Sequence, residues 1–196
     1  MMRPAAMPRS KGFTLIELMV TVSIAAILML TAVPSLTAFR RNAELTSVAN
    51  KFITSLNAAR GEAMKRGMSA VVVPLDNGAS WDAGWAVFVD KLRTRTYSPT
   101  GTGTVSTQQR VPAGITVSGN GTAAPATPYV MFDASGFSKN ASGGPSALAL
   151  SIRRNDVTAA DQPSQTRIVI ISMTGRVRVC TPTSASDTGC NASSTE

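Results

Sequence analysis

The pattern of apolar and polar residues begins with one long apolar run. From Phe13 to Val33 the residues are apolar or weakly polar, except for Glu17. At 1.5 Å per residue this stretch predicts a helix about 31 Å long, close to the thickness of the hydrocarbon core of a bilayer. A secretory signal peptide is the alternative, but its apolar region is shorter and carries no carboxylate. We therefore expect a transmembrane helix over residues 13–33.

The next segment, residues 34–67, is predicted to be an amphipathic helix. Between Arg40 and Arg66 apolar residues recur every three or four positions, which is the spacing of a helix with one apolar face. The apolar positions are Leu45, Val48, Ala49, Phe52, Ile53, Leu56, Ala59 and Ala63. Charged residues occupy the other face, and Gly67 is expected to end the helix.

After Gly67 the chain changes to short runs rich in β-branched and aromatic residues, bounded by Gly, Pro, Asn or Asp. The runs are 69–75, 84–90, 91–97, 114–118, 129–133, 147–152 and 167–173. They predict a small antiparallel head over residues 68–179 and a C-terminal tail or loop over 180–196. Trp81 and Trp85 are expected to pack in the sheet or to cover its edge. The fold class is therefore α+β, with a long N-terminal helix packed on a small β-rich head.

The composition argues against an enzyme. The chain has no histidine, so imidazole is absent as a general base and as a metal ligand. Its two cysteines cannot make a four-ligand zinc site. The sequence contains neither a nucleotide-binding Gly-rich loop nor a nucleophile elbow. We expect no catalysis, no cofactor and no metal.

The carboxylate of Glu17 needs an explanation, because an ionised side chain within lipid is costly and marks a functional site by default. The stretch "KGFTLIELMVTVSIAAIL" at 11–28 resembles the type III leader and N-terminal helix of type IV pilins and pseudopilins. The resemblance implies that residues 1–12 are a cleaved leader. It also implies that a prepilin peptidase cuts between Gly12 and Phe13 and N-methylates Phe13. Glu17 would then neutralise the Phe13 amine of a neighbouring subunit in the fibre.

The same resemblance implies where the protein resides. The basic leader, with Arg3, Arg9 and Lys11, is expected to stay in the cytoplasm. The chain would cross the inner membrane once, place its head in the periplasm, and enter an extracellular pilus with other minor and major pilins. Pro34 matches the position at which the family's helix bends or locally melts.

The head resembles the GspH/FimT type of minor pilins, in which two β-sheets pack on the exposed half of the helix. The resemblance is carried by "AARGEAMKRG" (58–67), "FDASG" (132–136) and "RIVIISMTGRVRV" (167–179). In an oxidising periplasm Cys180 and Cys190 are expected to form a disulfide, which would add roughly 2–3 kcal/mol for a loop of about ten residues. Two free thiols are the weaker alternative.

The chain has a formal net charge of +8, and arginines are concentrated in its last third. The candidate DNA-binding residues are Arg153, Arg154, Arg167, Gly175, Arg176 and Arg178. Arg176 and Arg178 lie two residues apart, so in an extended segment they would face one side and straddle successive phosphates. Lys91, Arg93 and Arg95 show the same alternation. Basic residues on an edge strand also deter aggregation, which is the alternative explanation.

The FimT branch of the family has a G-R-x-R motif that contributes to DNA binding in natural transformation, and Gly175, Arg176 and Arg178 match it. This resemblance implies a minor pilin that binds double-stranded DNA during competence, without sequence preference because no base-reading element is evident. Two alternatives remain open. The protein could be a minor pseudopilin of a type II secretion fibre, or a pilus-priming subunit that does not bind DNA.

Overall fold

A computed structural model gives the structure of the chain. It describes residues 12–76, 78, 80–100, 103–124, 126–191 and 193, with the side chains at 31–35 left out. The predicted leader through Lys11, with its basic residues, and the end of the predicted tail at 194–196 therefore lie outside the described residues. The chain divides into two compact units, Met1–Arg41 and Asn42–Glu196.

The first unit contains the beginning of helix α1, which runs from Leu15 to Arg66. The Thr14 hydroxyl accepts a hydrogen bond from the backbone N–H of Glu17 at 3.3 Å, as an N-cap side chain does. Within the described residues, no helix combines the length and the apolar character that crossing a membrane requires. The side chains at 31–35, which include Pro34 and the end of the predicted span, are outside the described residues.

In the second unit the rest of α1 buries one face. Of the predicted apolar positions, Ile53 is partly buried and the others are buried, as the three- and four-residue spacing predicts. Gly67 adopts φ +63°, and the N–H of Met68 reaches the carbonyl of Ala63 at 3.2 Å, so a left-handed glycine ends the helix.

Nine strands form two antiparallel sheets in the described part of the second unit. The first sheet has the order β3-β2-β1-β5-β6 and the second the order β4-β7-β8-β9. The first sheet contains β1 (Ala70–Pro74), β2 (Trp85–Val89), β3 (Thr104–Gln108), β5 (Val130–Phe132) and β6 (Ser138–Lys139). The second contains β4 (Ile115–Gly119), β7 (Leu148–Arg154), β8 (Thr166–Ile171) and β9 (Val177–Cys180). The predicted α+β architecture, a long helix with an antiparallel head, is confirmed.

Both sheets and α1 share one hydrophobic core. Phe52 on the helix stacks on Trp85 at 3.6 Å between ring centroids, and the indole N–H of Trp85 donates to the hydroxyl of Ser55 at 2.9 Å. Trp81 is also buried and donates to the carbonyl of Ala123 at 3.0 Å. Every buried residue that the structure describes lies between Leu45 and Cys190, so the second unit contains its own core.

The strand predicted at 91–97 is wrong. Arg93 and Arg95 adopt φ 56° and 55°, which breaks an extended backbone. The carboxylate of Asp90 accepts hydrogen bonds from the N–H groups of Thr94 and Arg95, at 3.1 and 2.9 Å, and folds the segment into a loop. Lys91, Arg93 and Arg95 therefore do not form the alternating row that the sequence predicts. Strand β3, by contrast, lies within 98–109, which the sequence pattern leaves as a loop.

Candidate functional site

The Gly175–Arg178 segment forms the turn and the edge strand of the hairpin between β8 and β9. The N–H of Gly175 donates to the carbonyl of Ser172 at 2.9 Å, and the N–H of Ser172 donates to the carbonyl of Arg176 at 3.0 Å. Gly175 adopts φ +78°, a conformation that glycine reaches without steric cost. The strand β9 then pairs with β8, with Arg178 opposite Ile170.

A close backbone contact also requires glycine at position 175. A Cβ added there would lie 2.0 Å from the carbonyl oxygen of Gly136. Arg60 on α1 reaches the same place, with Nε donating to the carbonyl of Gly136 at 3.0 Å and Nη2 to that of Thr174 at 3.3 Å. The three sequence stretches that resemble the GspH/FimT head therefore meet at this point.

Arg176 and Arg178 line one shallow depression. Together with Ile170 and Ser172 they surround a volume of about 300 Å³. Arg176 is exposed, whereas Arg178 is partly buried, and its Nε is a buried atom without a hydrogen-bond partner. Within the described part of the chain, neither guanidinium group has an ion-pair partner. Within the described residues, the charges of these hairpin arginines are therefore not neutralised by a carboxylate, and the Nε of Arg178 donates to no partner.

The pleat of the second sheet determines on which face each of the other predicted arginines lies. Ala149 pairs with Ile170, and Ile170 pairs with Arg178, so these three side chains share one face. Arg153 lies four residues after Ala149 on the same strand, so it belongs to that face and is exposed. Arg154 and Arg167 have the opposite parity and face the other way.

The prediction that Arg154 contacts DNA is therefore wrong. Its side chain is only 6% exposed, and it makes two hydrogen bonds to Asp156, at 2.8 and 2.9 Å, and one to Glu44 at 3.1 Å. The hydrogen bonds to Asp156, followed by that to Glu44, raise the pKa of Arg154 further above its ordinary value. Two carboxylates neutralise this charge, so Arg154 joins the helix to the second sheet.

Arg167 is also separated from the hairpin arginines. Its Nη1 donates to the carbonyls of Ser164 and Thr166, both at 2.9 Å. Burial lowers the pKa of Arg167, because desolvation disfavours its charged form. Of the predicted arginines, the structure brings Arg153, Arg176 and Arg178 to one face and leaves Arg167 on the other.

A closed C-terminal loop covers the apolar part of that face. Cys180 and Cys190 form a disulfide with an S–S distance of 1.99 Å, and Cys190 is buried in a cluster with Ala149, Ile168 and Ile170. The loop is held by a carboxylate that the sequence analysis overlooked. The sequence signal for this carboxylate is a single acidic residue, Asp187, flanked by Ser, Thr and Gly, a composition that favours a capped turn.

That carboxylate belongs to Asp187. It accepts hydrogen bonds from the N–H groups of Thr183, Gly189 and Cys190, at 2.9, 2.9 and 3.0 Å. The hydrogen bonds from Thr183, followed by that from Cys190, lower the pKa of Asp187. The backbone N–H groups of its own loop thus stabilise the negative charge of Asp187.

The predicted processing site lies at the start of the described part of the first unit. Gly12 and Phe13 precede α1 and are exposed, and Phe13 is 77% exposed. Glu17 lies in the first helical turn and is also exposed. An acidic side chain in this turn is favourable, because the N-terminal end of a helix carries partial positive charge.

Comparisons with known proteins agree with this architecture. The prokaryotic N-terminal methylation motif matches residues 7–33. The chain is similar to the type IV minor pilin FimU of Pseudomonas aeruginosa, with a TM-score of 0.53 and 20% identity over 74% of this chain and 98% of that one. It is also similar to the minor pseudopilin EpsH from the type 2 secretion system of Vibrio cholerae, with a TM-score of 0.50 and 15% identity over 71% of this chain and 98% of that one.

At these identities the two structures establish a shared fold alone, and no curated protein sequence matches the chain. The family model described as type II transport protein GspH matches residues 48–175, which is more than half of the chain. The protein is therefore a pilin-like subunit that belongs to the GspH family.

Proposed function

We propose that this minor pilin is part of a type IV pilus and binds extracellular double-stranded DNA through the β8–β9 hairpin, for uptake in natural transformation. Membership of the GspH family makes the chain a minor pilin or pseudopilin of a type IV pilus or a type II secretion system. The observation that carries the finer proposal is the pair of hairpin arginines, Arg176 and Arg178, which line one depression and have no ion-pair partner among the described residues.

Guanidinium groups suit a phosphate backbone, because each presents a planar fork of donors and keeps its charge at any physiological pH. Arg178 contributes a buried Nε that lacks a partner within the described residues, and a phosphate oxygen would satisfy it. The pair of arginines offers charge and donors to phosphates but is not a base-reading element. Binding should therefore depend on phosphates and be indifferent to sequence.

Anchoring and processing complete the proposal. The match to the N-terminal methylation motif supports cleavage between Gly12 and Phe13 by a prepilin peptidase, and methylation of the new Phe13 amine. The apolar side chains that the structure describes in the first unit are exposed, which suits insertion into the inner membrane with the head in the periplasm. In the fibre, the carboxylate of Glu17 would pair with the amine of a neighbouring subunit.

A second candidate is a minor pseudopilin of a type II secretion fibre. It is favoured by the GspH family model and by the fold that the chain shares with EpsH. That function, like a priming role in a pilus, requires assembly but no affinity for DNA. The two candidates therefore differ in a measurable property.

The test uses the second unit, residues 42–196, because it contains its own core. Binding to a duplex of arbitrary sequence is followed by fluorescence anisotropy at several salt concentrations. We expect affinity to fall steeply with salt, since bound cations release counterions from DNA. Changing Arg176→Gln and Arg178→Gln together should reduce the slope of log K against log salt by about two units.

The matched control removes two exposed positive charges elsewhere, with Lys51→Gln and Arg110→Gln. The control should leave the slope nearly unchanged, and both double variants should melt like the parent. Equal losses in the two double variants would mean that diffuse charge explains the binding. Absence of any salt-dependent binding at low ionic strength would refute the DNA proposal and favour the secretion or priming role.

A further inference from the structure

A second basic site lies on the first sheet, away from the hairpin. Arg93, Arg95 and Lys139 line one cleft of about 370 Å³. Two carboxylates, those of Asp90 and Asp133, also line it. We call this site the Arg93 cleft.

The loop that carries Arg93 and Arg95 is strained. Both residues adopt left-handed backbone conformations, with φ of 56° and 55°. Glycine would adopt this conformation at lower cost, so the two arginines are held against a local backbone preference. Such local strain is typical of ligand-binding segments.

The carboxylates of the cleft already accept hydrogen bonds from backbone N–H groups. Asp90 is 5% exposed, and its two oxygens accept from the N–H groups of Thr94 and Arg95. Asp133 accepts from the N–H groups of Ser135 and Phe137, at 2.9 and 3.0 Å.

The basic side chains of the cleft have fewer partners than its carboxylates. The Oδ2 atom of Asp133 lies 3.7 Å from the ammonium group of Lys139, which is a long ion pair. Arg95 stacks over the ring of Tyr129 at 5.1 Å. Among the residues that the structure describes, neither Arg93 nor Arg95 has an ion-pair partner. The cleft therefore favours an anion.

The Arg93 cleft is connected to the hairpin by backbone contacts. The N–H of Ser138 on β6 donates to the carbonyl of Met173, in the hairpin turn, at 3.1 Å. Lys139 directly follows Ser138, whose side chain is fully buried, so Lys139 projects to the outer side of the first sheet. The start of β6, and with it Lys139, therefore lies next to the hairpin turn at Met173.

We propose that the Arg93 cleft is a second phosphate-binding site, and that it takes a further backbone phosphate of the DNA held at the hairpin. The choice of DNA as the source of the phosphate rests on the proposed function. The cleft combines two guanidinium groups and an ammonium group with carboxylates that already have hydrogen-bond partners. This chemistry fits a phosphodiester and a free phosphate equally.

The test uses the full-length chain in a non-ionic detergent and a short duplex. Arg93→Gln and Lys139→Gln are introduced together, with Lys51→Gln and Arg110→Gln as the control of equal charge. We expect the cleft variant to lower the salt slope by about two units, so that the affinity lost between 50 and 200 mM salt shrinks by roughly tenfold. The same reduction is expected when the hairpin arginines are already replaced by glutamine.

A second measurement separates failure of the cleft from failure of the proposed function. Inorganic phosphate is titrated at low salt while the amide signals of Thr94 and Arg95 are followed by NMR. If DNA binds but the cleft variant matches its control, the cleft is not a DNA contact and the hairpin function stands.

If the unmodified chain does not bind DNA, the proposed function fails and the phosphate titration decides the cleft. Amide shifts that disappear in the cleft variant would support a site for free phosphate. Unmoved signals would overturn the cleft as a phosphate site.

Discussion

Replacing Gly175 by alanine tests whether the glycine of the hairpin motif is structural. The added Cβ would lie 2.0 Å from the carbonyl oxygen of Gly136, and both atoms belong to backbone that cannot rotate away. The two turns would have to separate by about 1.4 Å to reach an ordinary contact. This movement would pull the carbonyls of Gly136 and Thr174 away from Arg60, which donates to both.

The expected magnitude follows from two contributions. A left-handed alanine costs roughly 1–2 kcal/mol. Weakening hydrogen bonds from a charged donor costs roughly 1.5–3 kcal/mol more. The free energy of unfolding should therefore fall by about 2.5–5 kcal/mol, which lowers the melting temperature by roughly 5–20 °C for a unit of this size.

Gly143→Ala is the matched control, because Gly143 also has a positive φ, +82°, but no atom lies within 4 Å of an added Cβ. It should lose only the contribution of the backbone conformation. Thermal melting of the 42–196 unit, followed by circular dichroism, measures both variants. A melting temperature for Gly175→Ala within about 2 °C of Gly143→Ala would refute the collision, since conformational strain alone would then explain the loss.

Four further predictions concern single sites. Gly12→Asp should leave an uncleaved precursor, and mass spectrometry of a maturing culture showing a normal Phe13 terminus would contradict the processing proposal. Glu17→Val should preserve membrane insertion but reduce recovery in sheared fibres, because the neighbouring amine loses its partner; normal recovery would exclude that role. Arg154→Met should lower the free energy of unfolding by roughly 2–3 kcal/mol. This is less than for a fully buried pair, because the carboxylate partners of Arg154 are partly exposed. The salt dependence of DNA binding should stay unchanged. The pKa of Asp187 is lowered in the folded protein. Its stabilisation is therefore present above the ordinary aspartate pKa of about 3.9 and is lost as pH falls through the folded pKa. The difference in melting temperature between the parent and Asp187→Asn should accordingly shrink as the pH is lowered below that ordinary value.

The helix and the central strands were predictable because each has a simple period or composition. The three- and four-residue spacing from Leu45 to Ala63 identified the buried face of α1, and runs such as 69–75 contain consecutive β-branched residues that are buried on both sides. Strand β3 was missed because Thr, Ser and Gln on a half-exposed edge resemble a loop. The strand expected at 91–97 failed because the carboxylate of Asp90 competes locally for backbone N–H groups.

The candidate site was only partly predictable for a related reason. Alternation indicates that Arg153 and Arg154 face opposite sides of a strand, but it does not say which side is buried. The partners of Arg154 include Glu44, which lies 110 residues earlier in the chain. The Arg93 cleft depends on Lys139 meeting a loop almost fifty residues away, a juxtaposition that only the strand order of the first sheet produces.

Arg60 gives the hairpin a mechanical connection to the helix. One guanidinium group holds the turn at Gly136, beside the first sheet, and the turn at Thr174 in the second sheet. A force applied to Arg176 and Arg178 is therefore shared between the hydrogen bonds of the β8–β9 ladder and the side chain of Arg60, which belongs to α1. Because Arg60 anchors the turn in addition to the ladder, a load on the hairpin is also carried by α1 within the second unit.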